Sequence, residues 1–149
     1  MSGPESSTEY EDTELGRDIA ISEDTREYYD TLVEEEDSPF YDVQRKDLFM
    51  FAVGYGRKRA GRVPNSGRHA LFNQSSLTEQ QEWIIKSVAV YEERDPQVLR
   101  DEKLVYKIAR EYANGGVEEL HSQYVKPGDT LSEITTDIIQ MGQGSISSE

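Results

Sequence analysis

Apolar residues recur at helical spacing along most of this chain after a polar beginning, and this spacing predicts α-helices. The predicted helices span residues 23–35, 43–59, 78–91, 96–113, 117–124 and 131–141. No stretch alternates apolar and polar residues over the length of a strand between hairpin turns. We therefore predict an all-α fold, a small single-domain bundle of about five helices around one core.

Capping residues mark several of the predicted helix ends. Thr78, followed three residues later by Gln81, forms the capping-box pattern that opens a helix. Asp42 and Asp95 are predicted to cap the helices that follow them, because short polar side chains accept hydrogen bonds from free backbone amides. The sequence Asn114-Gly115-Gly116 is predicted to end a helix, since these residues accept the left-handed conformation of a helix C-terminus.

The predicted helix 43–59 carries apolar residues on more than one face, which is typical of a central, buried element. The side chains predicted to converge with it in one cluster are Phe49, Val53, Trp83, Val88 and Ile108. Replacing Phe49 or Trp83 by Ala should then cost about 3–5 kcal/mol of stability. By contrast, Arg59→Ala and Arg62→Ala should stay within about 0.5 kcal/mol, as exposed substitutions usually do.

Composition divides the chain into three parts. Residues 1–20 are polar and acidic, and such a segment cannot bury enough apolar surface to offset the entropy lost on ordering. We therefore predict a disordered acidic arm over 1–20, a helical domain over 21–141 and a disordered polar tail over 142–149.

Charge is divided as sharply along the chain, which has a formal net charge of −14. Residues 1–42 contain fifteen acidic residues and two Arg, whereas residues 43–68 contain seven basic residues and one acid. This separation indicates either a basic site for an anionic partner or a basic site that the chain's own acidic arm covers.

The sequence lacks the motifs of several classes of enzyme and metal site. The chain has no Cys and two His, and it contains no phosphate-binding loop, nucleophile elbow or zinc-protease motif. Its apolar runs are far shorter than the roughly 20 residues that cross a bilayer. We expect a cytoplasmic protein that is not an enzyme and has no cofactor, metal site or catalytic residue.

The basic loop after the second predicted helix is the candidate contact surface. Arg pairs bidentately with phosphate or carboxylate, so the partner could be DNA or another protein. The same charges could instead neutralise neighbouring acids or form a solvated loop. The candidate contact residues are Arg57, Lys58, Arg59, Arg62, Arg68 and His69.

Three pieces of the sequence carry a family resemblance: DLFMFAVGYGRKRAGRVP at 47–64, ALFNQSSLTEQQEWI at 70–84 and EYANGGVEEL at 111–120. Together they resemble Dnd system-associated protein 4, a family that accompanies the genes for DNA phosphorothioation and its linked restriction. The resemblance implies an accessory or regulatory component of this restriction-modification and antiviral defence system. Its implied partners are larger subunits of the system, with DNA as a further candidate. No catalytic residue is carried over.

A second interpretation is a small DNA-binding transcriptional regulator. In this reading the helices 78–91 and 96–113 form a helix-turn-helix pair and the basic loop touches phosphate. The second of these helices carries Asp101, Glu102 and Glu111, and a helix that reads DNA is normally more positive.

Overall fold

Four α-helices and a two-stranded sheet make up residues 18–126, the part of the chain that the computed structural model describes. The strands are β1 (Asp18–Ile21) and β2 (His69–Asn73), and the helices are α1 (Arg26–Glu34), α2 (Arg45–Tyr55), α3 (Glu79–Glu93) and α4 (Glu102–Val125). Short 3-10 turns occupy Glu23–Thr25, Gln74–Ser76 and Pro96–Arg100, and a π-helical turn, Gly56–Ala60, follows α2. The predicted small, mainly helical domain is confirmed, with a sheet that the sequence pattern does not predict.

The longest helix, α4, continues through Asn114-Gly115-Gly116, so the prediction that these residues end a helix is wrong. All three are buried. A Cβ on Gly116 would overlap the carbonyl oxygen of Ala52 in α2, and a Cβ on Gly115 would overlap that of Gly61. The two glycines therefore allow neighbouring backbones to touch α4. Close packing offsets their cost of about 1 kcal/mol each in a helix interior.

The core lies where α2 crosses α4 and α1 packs beside them. Phe49 and Val53 of α2 and Ile108 of α4 are fully buried, as predicted. Val88 is half-buried and packs against this cluster. Trp83, however, is 54% exposed, so its assignment to the core is wrong.

The reason lies in the two apolar sides of α3. Its buried residues are Ile85 and Ala89, whereas Trp83, Ile84 and Tyr91 are exposed. Helical spacing alone predicts which residues share a face, but it does not say which of two apolar faces turns inward.

The sheet pairs β1 with β2 in antiparallel register, with Asp18 opposite Asn73 and Ile21 opposite His69. An irregularity between Ile19 and Ala20 shifts the register. Residues 18–20, which we assigned to the disordered arm, thus belong to a strand. Both strands are short, with four residues in β1 and five in β2, and three of the four β1 residues are buried. Neither strand therefore shows the alternation of polar and apolar residues that predicts a strand.

Helix boundaries follow the predicted caps in part. The capping box is present, because Gln81 N–H donates to Thr78 Oγ1 at 3.0 Å and the Gln81 side chain accepts from Thr78 N–H at 2.9 Å. Asp42 does not cap α2, which begins three residues later; it has a φ of 66°. Asp95 caps the 3-10 turn, and Asp101 accepts from Leu104 N–H at the start of α4. The predicted short helix 117–124 is the end of α4.

The predicted last helix 131–141, the tail 142–149 and residues 1–17 of the predicted arm lie outside the described residues. Within residues 18–126, none of the helices combines the length and apolar character needed to span a membrane.

Candidate functional site

Three of the candidate contact residues lie on the π-helical turn that extends α2. Gly61 N–H donates to the Gly56 carbonyl, five residues earlier, at 2.6 Å, and the chain then leaves the helix at Gly61 with a φ of 95°. A Cβ on Gly56 would overlap the Tyr112 carbonyl oxygen, so the turn lies directly on α4. Such turns are rare and occur frequently at functional sites.

This turn presents Arg57, Lys58 and Arg59 to solvent, and all three are exposed. The Arg57 guanidinium carbon lies 4.0 Å from the centroid of the Tyr91 ring, and that of Arg59 lies 6.0 Å from the Tyr55 ring. Cation–π contacts of this kind contribute about 0.5–1 kcal/mol at exposed sites. The turn therefore carries three consecutive positive charges, two of which rest on aromatic rings. We call these three residues the cationic turn.

Arg62 is placed differently from the cationic turn, because it faces α4. Its Nε and Nη2 both lie 2.9 Å from Oε1 of Glu111, whose side chain is only 8% exposed. Its Nη1 lies 3.6 Å from Glu92 of α3. Arg62 is thus the counter-ion of a buried carboxylate, which is a structural role.

Glu92, which also contacts Arg62, joins the end of α3 to Tyr112 of α4. Its hydroxyl donates to Glu92 Oε1 at 2.6 Å. Burial raises the pKa of Tyr112, and the hydrogen bond to the Glu92 carboxylate raises this pKa further, while Arg57 and Arg62 oppose the rise. The tyrosine accordingly stays a neutral hydrogen-bond donor at physiological pH.

Arg68 and His69 belong to the sheet side of the domain. Arg68 is exposed just before β2, and His69 is the first residue of that strand, half-buried opposite Ile21. Ser66, two residues before Arg68, lies beside the end of β1, because its N–H donates at 2.7 Å to Oγ of Ser22, the residue that follows β1. The candidate residues thus divide into the cationic turn, the inward-facing Arg62, and the pair beside the sheet.

Asn114, which was predicted to end a helix, binds the loop that follows the cationic turn. Asn114 is fully buried, and its Nδ2 donates to the Val63 carbonyl at 2.8 Å and to Asn65 Oδ1 at 2.6 Å. Its Oδ1 accepts from Ser22 N–H at 3.3 Å. The side chain therefore joins α4, the loop and the end of β1. The sequence signal is a polar residue at an otherwise apolar crossing of two helices.

A protein-family sequence model, described as DNA sulphur modification system-associated protein 4, matches residues 18–149, which is nearly the whole chain. The chain belongs to this family. The resemblance carried by the three sequence pieces is thus confirmed, and with it an association with a DNA sulphur modification system. No curated protein and no solved structure matches the chain.

The helices α3 and α4 are the two that the helix-turn-helix interpretation would use. Every residue of α4 from Glu111 to Val117 is buried. A recognition helix needs one face free to enter the major groove. Residues 111–117 are therefore not free to read DNA bases, whereas Glu102, Lys103 and Lys107, nearer the start of α4, are exposed.

Within residues 18–126, no group of three or more His, Asp or Glu side chains is arranged to hold a metal ion. Of the charged groups near the loop, Arg62 binds both Glu92 and Glu111.

Proposed function

We propose that this protein is a non-enzymatic accessory component of the DNA sulphur modification system, acting in its restriction arm by binding a larger partner protein. The observation that carries the proposal is the cationic turn, three exposed positive charges on a π-helical turn that packs against α4. Family membership supplies the setting.

The backbone contacts of the turn support a role in binding. Gly56 and Gly116 bring α2 and α4 into direct backbone contact on one side of the turn, and Gly61 contacts Gly115 on the other. A surface held in place in this way loses little conformational entropy when a partner binds. Arg57 and Arg59 present planar guanidinium groups, which pair bidentately with carboxylates or phosphates.

The overall charge favours a protein over DNA as the main partner. At a formal net charge of −14, the long-range field of the chain repels the densely charged phosphate backbone. A folded partner can place a few carboxylates against the cationic turn and keep its remaining surface away from the acidic one. Contact with DNA phosphate is the competing outcome that the experiment must separate.

A non-enzymatic role is supported by what the charged and hydroxyl groups beside the cationic turn do. Glu111 is neutralised by Arg62, and Tyr112 is held by Glu92. These groups join secondary-structure elements to one another, which is how structural ion pairs behave.

The test is a charge reversal on the cationic turn, compared with a matched reversal elsewhere. The host gene is replaced by Lys58→Glu/Arg59→Glu or by Arg100→Glu/Lys107→Glu, and the latter pair is also exposed. Both changes alter the net charge equally. We expect only the first to lose co-purification of the partner and to weaken restriction of unmodified DNA. Phosphorothioate content should stay unchanged in both strains.

Two results would contradict the proposal. Equal restriction and partner recovery in all strains would remove the cationic turn from the function. A normal partner complex, combined with loss of DNA binding by the purified Lys58→Glu/Arg59→Glu protein in a low-salt gel shift, would make DNA the ligand of the turn.

A further inference from the structure

The outer face of α3 carries an unusual concentration of large apolar side chains. Trp83 is 54% exposed, Ile84 50% and Tyr91 65%. At about 100° per residue these positions fall within roughly one quarter of the helix circumference. Exposed apolar groups clustered in this way mark interaction sites. We call Trp83, Ile84, Ser87 and Tyr91 the α3 face.

Two positive side chains contact the aromatic rings of the α3 face, although the chain as a whole is strongly acidic. Lys86 Nζ lies 4.9 Å from the Trp83 ring centroid, and Arg57 lies over Tyr91. No acidic residue occurs from Trp83 to Tyr91. A second copy of the chain docking through the same face would bring like charges together. The occupant that fits is an apolar stripe with carboxylates beside it.

We propose that residues 131–141 of the same chain supply this stripe and pack on the α3 face. Their apolar residues recur at helical spacing and form one predicted stripe: Leu131, Ile134, Ile138 and Met141. Glu133 and Asp137 are four positions apart and flank that stripe. The segment therefore carries the apolar row and the adjoining negative charges that the α3 face requires.

The directions of the helices place the start of this segment at the correct end of the domain. The first turn of α2 contacts the first turn of α3, because the Gln81 side chain donates to Asp47 at 3.1 Å. Just beyond the end of α2, Arg57 lies over Tyr91 near the end of α3. These two helices therefore run parallel. Against α4, by contrast, α2 runs antiparallel, because Ala52 meets Gly116 and Gly56 meets Tyr112.

It follows that α4 ends where α3 begins, and Trp83 lies in the second turn of α3. The five residue-to-residue steps from Lys126 to Leu131 reach up to about 17 Å when extended. Packed helices have axes about 8–10 Å apart, and the α3 face is the outer side of α3, so the segment lies up to about two such spacings from α4. A nearly extended link matches that distance.

The single tryptophan of the chain makes the α3 face directly observable, since the protein's tryptophan emission comes from Trp83 alone. In the full-length protein, Ile134→Asp/Ile138→Asp should shift the emission maximum to longer wavelength and increase quenching by acrylamide. Thr136→Asp/Gln140→Asp adds the same charge on the opposite side of the predicted helix and should leave both unchanged. Equal spectra for the two variants, shifted or unshifted, would overturn the proposal.

A cross-link in the otherwise unchanged chain gives an independent result. The protein contains no Cys, so Ser87→Cys introduces its one thiol in the middle of the α3 face. After labelling with a benzophenone maleimide and irradiation, we expect an adduct within one chain to residues 131–141, located by mass spectrometry. Adducts that join two chains, or adducts confined to other parts of the same chain, would overturn the assignment of this occupant.

Discussion

Arg62 places its Nε and Nη2 atoms 2.9 Å from the same carboxylate oxygen of Glu111, and the N–H of the next residue, Val63, donates to the Glu111 carbonyl at 2.9 Å. A single residue of α4 therefore holds the loop by both its side chain and its backbone. The Glu111 side chain is 8% exposed, and a carboxylate so withdrawn from water requires a partner. This pair makes Arg62 part of the fold.

Arg62 is thus not the exposed residue that the sequence predicts. Arg62→Ala should destabilise the domain by about 1–3 kcal/mol, because it leaves a buried carboxylate without its counter-ion. Arg59→Ala, an exposed change on the cationic turn, should stay within about 0.5 kcal/mol. Urea unfolding at neutral pH measures both. In a Glu111→Gln background the cost of Arg62→Ala should shrink, because the buried charge is gone. Equal stability of Arg62→Ala and Arg59→Ala would refute the structural role.

Two glycines two residues apart in α2 and its π-helical turn should respond in opposite ways to alanine. A methyl group on Gly56 would overlap the Tyr112 carbonyl, whereas one on Gly54 would meet nothing within 4 Å. We expect Gly56→Ala to cost about 1–3 kcal/mol through overpacking. Gly54→Ala should gain about 0.5–1 kcal/mol from helix propensity. Thermal melts of the two variants decide the matter, and a similar shift in both would contradict the close backbone contact.

Alanine substitutions at Phe49 and at Trp83 should also differ in their cost to stability, although both are aromatic residues on helices. Phe49 is fully buried and packs edge-on against Phe72, with ring centroids 5.3 Å apart. Phe49→Ala should cost about 3–5 kcal/mol. Trp83→Ala should cost less, about 1–2 kcal/mol, since more than half of that side chain is exposed among residues 18–126 and only the proposed packing of residues 131–141 covers it. Comparable losses in chemical denaturation would mean that the core extends over the outer side of α3.

A pH effect is expected at His121, which stacks on Tyr28 with ring centroids 4.4 Å apart. Burial lowers the pKa of His121 below its ordinary value of 6.5, although Glu27 and Glu35 partly oppose this shift. The unfolded chain therefore binds a proton more readily than the folded one. The stability from this group is complete above about pH 6.5 and declines as the pH falls toward the folded-state pKa.

The effect appears as a difference between two proteins, because the many carboxylates of the chain also titrate. Relative to His121→Gln, the natural protein should lose stability as the pH is lowered from about 7.5 to 5.5. Denaturant unfolding at several pH values measures this difference. Parallel curves for the two proteins would show that burial does not perturb the histidine.

Local signals in the sequence correctly predict some elements. Thr78 and Gln81 act within one helical turn, so their capping box can be recognised without knowing the rest of the fold. Phe49 and Val53 belong to a helix with apolar residues on more than one face, and such a helix is buried whichever way it turns.

The features that sequence reasoning misses depend on distant partners. Asn114 and its two following glycines suit a helix end and a helix crossing equally well, and only the approach of Ala52 and Gly61 decides between them. Arg62 meets Glu111 across 49 positions of sequence. The strand β1 depends on β2, more than forty residues later. The assignment of the cationic turn to partner binding stays a prediction.

The π-helical turn also determines the direction of the chain that follows it. A turn of this kind holds about one residue more than an α-helical turn, and each residue of an α-helix rotates the chain by about 100°. The extra residue thus changes the phase at which the chain leaves α2, which directs Gly61 toward Gly115 and Arg62 toward Glu111. Deleting one residue between Gly56 and Ala60 would reset that phase and turn the loop away from α4.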